Sequence, residues 1–323
     1  MKADVLSDVL RAVRLTGAVY FDFELSAPWV AEAPHSSQIA AKVMPGSQRV
    51  IEYHLIARGQ CWGHALGEEP IRLNEGDLII FPQGDAHVLS SAPGMRSAPD
   101  MAAFARPSTP LPIMYELGGG GRDRARVVCG FLGCDERPFN PLLAALPRVI
   151  HLAANVSNAN AGWLATLLNI AVKESGSARA GGENVLARLS ELMFVEAVRR
   201  YLEMLPPSHT GWLEGLLDPV VGQALAALHG QPNEAWTVDR LARLVGLSRS
   251  VFAERFTEMV GESPMQYLAL WRMQLASRML MEGGRVAEVA ASVGYESEAA
   301  FSRAFKKLVG QAPATWRRSA QPS

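Results

Sequence analysis

Residues 241–267 read LARLVGLSRSVFAERFTEMVGESPMQY, and residues 289–316 repeat the same pattern as VAASVGYESEAAFSRAFKKLVGQAPATW. An alanine, a glycine four residues later, two phenylalanines four apart and a Val-Gly pair recur at offsets of 48 or 49 residues. The change of offset indicates one extra residue in the second copy. Common helical solenoids have periods of about 33 or 34 residues and need three or more copies. The repeat is therefore not typical of such a scaffold.

Each copy has the residues expected of two helices joined by a tight turn. Gly246 and Gly294 suit the turn, because glycine adopts positive φ without steric cost. Ser248 and Ser297 are predicted to cap the second helix of each copy. The phenylalanines, four residues apart, should pack that helix on the first, and the Val-Gly pair should end it. The pattern predicts two helix-turn-helix units, a motif whose second helix lies in the DNA major groove.

The distribution of charge agrees with a nucleic-acid partner. The chain has a formal net charge of −1, but residues 218–323 hold 12 basic and 10 acidic side chains. From residue 299 onward, all the charged residues are basic. A basic terminus can also be a solvated tail, so only its position beside the second repeat indicates DNA.

The chain as a whole reads as globular. Its 323 residues, 49% of them hydrophobic and 20% charged, suggest about two domains. No apolar run approaches 18 residues, and residues 1–17 read as an amphipathic helix, so we expect a soluble protein without a membrane partner. Three cysteines are too few for a disulfide scaffold, which favours a cytoplasmic location.

Three regions of the chain differ in their residue patterns. Residues 17–150 contain short apolar runs bounded by Gly and Pro, which predict strands. Residues 155–205 have helical spacing, with Trp163 on an apolar stripe, Gly181-Gly182 between two helices and Pro206-Pro207 after the second. Residues 217–323 are predicted to be helical, with a long helix from Pro264 to Met281 between the repeats.

On both repeats and the closing stretch GYESEAAFSRAFKKLVGQAPATWRR, residues 218–320 resemble the DNA-binding domain of the AraC family of transcription regulators. The resemblance implies two helix-turn-helix units that bind consecutive major-groove segments on one DNA face. It assigns base-facing positions in the first recognition helix to Arg249, Ser250, Ala253 and Glu254, and in the second to Glu298, Ala299, Ser302 and Arg303. Lys306 and Lys307 are expected to neutralise DNA phosphates.

The N-terminal region carries a second resemblance. Residues 76–87 read GDLIIFPQGDAH and match the second cupin motif, G-x5-P-x-G-x2-H, which ends at His87. The first cupin motif is half present, since Glu52 and Gly59 fit its end but its two upstream histidines are missing. The region is similar to the cupin-like sensor domain of one AraC subfamily.

Together these features predict an α+β multidomain fold. We expect a cupin-like β-barrel sensor domain over residues 1–152 and a helical linker or dimerisation segment over residues 153–216. The third part is an all-α DNA-binding domain with two helix-turn-helix units over residues 217–323. The helices at 157–205 join the barrel to the DNA-binding domain. They carry apolar stripes, so we expect a homodimer through them.

The barrel is the expected sensor. Glu52 and His54 are two residues apart and share one face of a strand, and with His87 they form a possible three-ligand set for a divalent metal. The alternative is a pair of hydrogen-bonded interior histidines without a metal, and we expect no cofactor. We expect a small-molecule effector near Glu52, His54, Cys61 and His87.

A redox signal is the other possibility. Cys129 and Cys134 lie on either side of a turn expected between Gly130 and Gly133, so the two thiols could approach each other. Oxidant sensing needs an exposed thiolate of low pKa, whereas a buried cysteine is an inert small hydrophobe.

The resulting prediction is a sequence-specific transcription regulator, an activator or a repressor, that is not an enzyme. Its expected partners are double-stranded promoter DNA, a second copy of the chain, an effector and, for an activator, RNA polymerase. The alternatives are a cupin metalloenzyme with a helical interaction domain, and a protein-interaction module built on the helices at 160–205.

Overall fold

A computed structural model describes residues 4–105, 111–154, 161–177, 179–205 and 211–319, without the side chains of 161–163 and 319. The described residues form two compact units. The helical unit draws on Met1–Arg14, Asp135–Ala145 and Leu205–Ser323, and the β unit on Leu15–Cys134 and Leu146–Met204. Residues 4–14 and 135–145 thus group with the C-terminal helices, although the sequence ranges place them with the barrel.

The β unit contains two sheets. Its strands are β1 (Thr16–Ser26), β2 (Val30–Ala33), β3 (Arg49–Arg58), β4 (Gln60–Ala65), β5 (Ile71–Asn74), β6 (Leu78–Phe81), β7 (His87–Ser90), β8 (Ile113–Gly118), β9 (Arg124–Cys134) and β10 (Ile150–Leu152). One sheet has the order β10-β6-β3-β9-β1-β8 and the other the order β2-β7-β4-β5. The described strand pairs are antiparallel except β1 with β8.

The α-helices of the described residues are numbered from the N-terminus. They are α1 (Val5–Ala12), α2 (Ala40–Val43), α3 (Pro141–Ala145), α4 (Ala161–Ser175), α5 (Gly182–Met204), α6 (Trp212–Leu217), α7 (Val221–Gly230), α8 (Val238–Leu244), α9 (Arg249–Val260), α10 (Pro264–Met281), α11 (Val286–Ser292), α12 (Glu298–Val309) and α13 (Pro313–Ser319). Among the described residues, none of these helices combines the length and the apolar character needed to cross a membrane.

Alternation along β1 and β9 builds the core of the β unit. Side chains of a strand point to opposite faces in turn, and Phe21, Val127, Cys129 and Phe131 belong to one buried cluster. Helix α5 packs on β1, where Gly17 lets the strand lie against the Ala187 carbonyl.

The turn expected between Gly130 and Gly133 is wrong. Strand β9 passes through both residues without a break. Gly130 is required by packing, since a Cβ there would lie 2.3 Å from the Tyr53 hydroxyl. Because Cys129 and Cys134 are an odd number of residues apart on one strand, their side chains point to opposite faces of the sheet. None of the three cysteines forms a disulfide.

The helix ends between Ala161 and Met204 follow the sequence expectation in part. α4 ends at Ser175 and α5 begins at Gly182, which places the predicted Gly181-Gly182 break between them. Pro206-Pro207 and the side chain of Trp163 lie outside the described residues.

The amphipathic N-terminal helix is confirmed as α1, which is capped by the Asp4 side chain. It packs on α10, where the Gln274 side-chain amide donates to the Ala12 carbonyl at 3.0 Å. Arg14 follows α1 and forms two hydrogen bonds with the Asp135 carboxylate, of 2.7 and 3.0 Å. Segments from three parts of the sequence therefore stabilise one unit.

The two helix-turn-helix units form as the repeat predicts. Ser248 caps α9 and Ser297 caps α12, each through its side-chain oxygen. The turn glycines Gly246 and Gly294 have φ of 74° and 81°. The turn between α11 and α12 is one residue longer than the turn between α8 and α9, as the offsets indicate. Helix α10 spans the predicted range.

Candidate functional site

A cavity lies within the β unit. Its wall is mainly apolar and aromatic, and the aromatic members are Phe21, Phe23, Trp29, Phe104 and Phe131. The polar side chains of Glu52, His54 and His87 also line it. The structure therefore brings together three of the four residues that the sequence assigns to an effector. An apolar pocket with a few convergent polar groups is typical of a small-molecule site.

A chain of hydrogen bonds runs through both histidines. His87 Nδ1 donates to the Asp85 carbonyl oxygen at 2.8 Å, because that oxygen can only accept. Its Nε2 then accepts from His54 Nε2 at 2.7 Å, and His54 Nδ1 accepts from the Cys129 thiol at 2.7 Å. Both imidazoles are thus neutral, and each nitrogen has a partner.

Burial sets the protonation states of this cluster. It lowers the pKa of His87 to about 4, and burial together with the neighbouring His87 lowers the pKa of His54 well below its usual range. Burial also raises the pKa of Glu52 well above that of an ordinary glutamate. The contact between His87 Nε2 and Glu52 Oε2, at 3.9 Å, is therefore not an ion pair at neutral pH.

Glu52 is the unsatisfied member of the cluster. Its side chain is almost fully buried, and its Oε1 has no hydrogen-bond partner among the described residues. A buried polar atom without a partner costs about 1–3 kcal/mol. A ligand that supplies a partner for this oxygen would recover that free energy.

The cluster brings three possible metal ligands together, but the spacing and hydrogen bonding of its two histidines do not fit a bound metal ion. One ligand atom from each of Glu52, His54 and His87 lies within 4.8 Å of the others. Two imidazole nitrogens on one zinc ion, each about 2.0–2.1 Å from it, would be roughly 3.3 Å apart, whereas here the two Nε2 atoms are 2.7 Å apart. Metal binding would also require the hydrogen bond between the two Nε2 atoms to break.

The cysteines are placed differently from the sequence expectation. Cys61 lies in the buried core and is not among the described residues that line the cavity, whereas Cys129 lines it. Burial, with a smaller effect of Asp77, raises the pKa of Cys61 to about 12. Burial also raises the pKa of Cys129 well above its usual range. Neither thiol has the low pKa that a thiolate sensor needs.

The second helix of each helix-turn-helix unit presents the residues that the sequence selects. On α9, Arg249, Ser250 and Glu254 are exposed and Ala253 is half-buried. On α12, Glu298, Ala299, Arg303, Lys306 and Lys307 are exposed and Ser302 is half-buried. The opposite faces hold the buried phenylalanines that pack each helix on its unit.

The two faces differ in charge. Arg249 forms an exposed ion pair of 3.4 Å with Asp239, and α9 also carries Glu254. On α12 the exposed cations Arg303, Lys306 and Lys307 exceed its single acid. Helix α12 is therefore the more favourable surface for a polyanion.

Comparisons with known proteins agree with both units. A family model described as Cupin matches residues 4–203, and one described as Helix-turn-helix domain matches residues 241–319. A putative AraC-like transcription regulator of Streptomyces lividans is 35% identical, over 84% of this chain and 87% of that protein. The chain belongs to the AraC family of transcription regulators.

Two further similarities concern this AraC-family regulator. The HTH-type transcriptional regulator AlkR of Acinetobacter baylyi is 32% identical over 75% of this chain and 79% of that protein. A crystal structure of the DNA-binding domain of AdpA in complex with a target DNA is 31% identical and covers 32% of this chain and 92% of that one, with a TM-score of 0.30. The relatives from Streptomyces lividans and Acinetobacter baylyi are transcription regulators, so the alternative of a cupin metalloenzyme is not favoured.

Some residues of the regulator's cavity were missed at the level of sequence. Cys129 and Phe131 reach the site because β9 pairs with β3, with His54 opposite Cys129 and Glu52 opposite Phe131. The stretch RARVVCGFLGC has the residue pattern of a strand, but that pattern does not show which other strand it pairs with. On α9, Val251 is 50% exposed beside the selected positions, and its apolar character gave no reason to select it.

Proposed function

We propose that this AraC-family regulator binds duplex promoter DNA through α9 and α12, and that a small organic molecule in the β-unit cavity controls that binding. The observation that carries the proposal is the buried, unpartnered carboxyl of Glu52 in an aromatic cavity. Because the proposed partner is promoter DNA, the proposed place of action is the cytoplasm. Where the regulator activates, RNA polymerase is the further proposed partner.

The proposed base contacts are Arg249, Ser250, Ala253, Glu254, Glu298, Ala299, Ser302 and Arg303, with Lys306 and Lys307 on phosphates. Arg303→Ala should cost about 1–3 kcal/mol on the regulator's own promoter and relax the preference at one base pair. Lys306→Ala should weaken all sequences alike and lower the salt slope by about one.

Mobility-shift titrations at several salt concentrations measure both effects. Arg122→Ala and Lys42→Ala are matched controls, because each removes an exposed cation of the β unit. Unchanged promoter binding by both the Arg303 and the Lys306 variants would contradict the proposed contacts.

The effector site is tested with N-phenyl-1-naphthylamine, a neutral apolar fluorophore. Ala31 lines the cavity, so Ala31→Leu adds three carbon atoms to its wall and should weaken probe binding about tenfold or more. Ala41→Leu makes the same change at an exposed position of α2 and should leave binding unchanged.

Coupling between the sites is measured in the same assay. Saturating probe should shift the promoter affinity of the full chain by about 5-fold or more, and promoter DNA should shift the probe affinity by the same factor. Equal probe binding by Ala31→Leu and Ala41→Leu, or no shift in DNA affinity, would refute the cavity as the effector site.

We also propose that purified protein holds no stoichiometric metal at Glu52, His54 and His87. Hydrogen bonds already use both Nε2 atoms, which supports an organic ligand over a divalent cation. Metal analysis of protein prepared without chelators tests this directly. One zinc, iron, nickel or manganese per chain, lost in His87→Ala, would contradict it.

A homodimer through residues 157–205 is the last part of the proposal. Val185 and Leu192 are seven residues apart on α5 and lie on one face, and both are more than 40% exposed. Leu192→Glu should shift sedimentation at micromolar concentration towards monomer. Leu217→Glu alters an exposed leucine of α6 and is the matched control. A wild-type protein that stays monomeric with and without DNA would refute the dimer.

A further inference from the structure

We propose that the β-unit cavity takes an organic cation, a compact aromatic or branched aliphatic amine with one positive charge, whose ammonium group binds Glu52 while its apolar body contacts the aromatic wall. This inference rests on the proposed function, in which the same cavity binds the effector. It names the chemical class of that effector.

The first argument is the hydrogen-bonding inventory of the cavity. Glu52 is 1% exposed and lines the cavity, and no described group bonds its Oε1. The nitrogens of His54 and His87 are all bonded to one another, to Cys129 or to the Asp85 carbonyl. The Glu52 carboxyl therefore lacks a hydrogen-bond partner at Oε1 among the described residues, and an ammonium group would supply up to three donors to it. A cation at that position also favours the charged carboxylate.

The aromatic wall is the second argument. Phe21, Phe23, Trp29 and Phe104 line the cavity, and Phe131 completes the wall beside Glu52. A cation within about 6 Å of an aromatic ring is attracted by the negative face of the ring, most strongly where water is excluded. The same rings hold the apolar part of an amine, so both halves of the ligand find suitable contacts.

Charge around the cavity is the third argument. A second cavity shares five lining residues with the first, including Phe21 and Glu32, and its wall carries Asp100 and Glu116. Glu32 is neutralised by Arg96, which donates two hydrogen bonds of 2.8 Å. No lysine or arginine is among the described residues that line either cavity.

These charges discriminate between ligand classes. An organic anion would meet Glu52 without a basic side chain to pair with, so carboxylates and sulfonates should be rejected. A neutral hydrocarbon would fill the aromatic space but leave Glu52 Oε1 without a donor. The amine satisfies the wall and the carboxyl together.

The test compares three ligands that share the 2-phenylpropan-2-yl group, by isothermal titration calorimetry on the full chain. They are 2-phenylpropan-2-amine, the neutral tert-butylbenzene, and 2-methyl-2-phenylpropanoate. The amine should bind about tenfold or more tightly than the hydrocarbon, and the carboxylate should not bind measurably. In Glu52→Gln the amine should lose this advantage while the hydrocarbon keeps its wild-type affinity, which shows that the cavity is intact.

Glu69→Gln removes an exposed acid between β4 and β5 and should behave as wild type. The inference is overturned if the hydrocarbon binds as tightly as the amine, if Glu52→Gln leaves the preference unchanged, if the carboxylate binds best, or if none of the three binds. Binding of the neutral fluorophore and its loss in Ala31→Leu are independent of this result. An effector cavity for neutral ligands would therefore be recognised as such.

Discussion

A buried histidine of the helical unit makes the regulator's stability depend on pH. His229, near the end of α7, bonds the Tyr267 hydroxyl through Nε2 at 2.8 Å, and its ring stacks on Trp271 with centroids 4.0 Å apart. Burial lowers its pKa to about 3. The perturbation we consider is a fall in pH from 7 to 5, in wild type and in His229→Gln.

The expected effect follows from proton linkage. A histidine in the unfolded chain has a pKa of about 6.5, so between pH 6.5 and 3 the unfolded chain binds more protons at His229 than the folded chain does. The stability due to the neutral imidazole is fully present above pH 6.5 and is lost as the pH falls towards 3. For one site with these pKa values, the loss between pH 7 and pH 5 is about 2 kcal/mol.

Urea unfolding of the full chain at both pH values measures this loss. His54 and His87 contribute with the same sign in the β unit, so the informative quantity is the difference between wild type and variant. His229→Gln keeps a polar group but cannot titrate. Between pH 7 and pH 5, its free energy of unfolding should therefore fall by about 2 kcal/mol less than that of wild type.

The reasoning is refuted if His229→Gln loses as much stability between pH 7 and pH 5 as wild type. That result would mean that the folded protein protonates His229 as readily as the unfolded chain.

Three further perturbations test local interactions. Ser297→Ala removes the cap of α12 and should cost about 1 kcal/mol in urea unfolding. Iodoacetamide should label Cys61 and Cys129 at least about 100-fold more slowly in the folded than in the unfolded protein, because burial keeps both thiols protonated. Asp22→Asn removes the charge and one of the two acceptors that bond Arg126 at 2.6 and 2.9 Å, and it should cost about 3 kcal/mol or more, measured by thermal unfolding.

The DNA-binding half could be predicted closely because its determinants are local in sequence. A serine cap, a turn glycine and two phenylalanines four residues apart act within one helical turn or two. Ser297, Gly294 and Phe301 therefore have the same roles in the sequence and in the structure. Which exposed side chains touch bases stays a prediction, because that depends on the docked DNA.

The cavity could be predicted only in part, because its residues come from strands distant in sequence. The two-residue spacing placed Glu52 and His54 on one face, and the cupin motif supplied His87. Cys129 lines the cavity because of the register of β9 against β3. A one-residue slip of that register would turn its side chain to the other face of the sheet. The turn predicted at Gly130 was wrong because the sequence alone does not distinguish a glycine that permits close packing from one that forms a turn.

The order of the chain suggests a short covalent route between the cavity and the helical unit. Three residues of the cavity wall lie on paired strands, Phe21 on β1 and Cys129 and Phe131 on β9. The pairing of these strands begins at Thr16, opposite Gly133. The chain enters β1 just after Arg14 and leaves β9 just before Asp135, the two residues joined by paired hydrogen bonds in the helical unit. We therefore expect a ligand that shifts β9 against β1 to act on both connections at once. The sequence analysis expects the helices at 157–205 to join the two domains, and the junctions at Arg14 and Asp135 are further connections that lie only a few residues along the chain from the cavity wall.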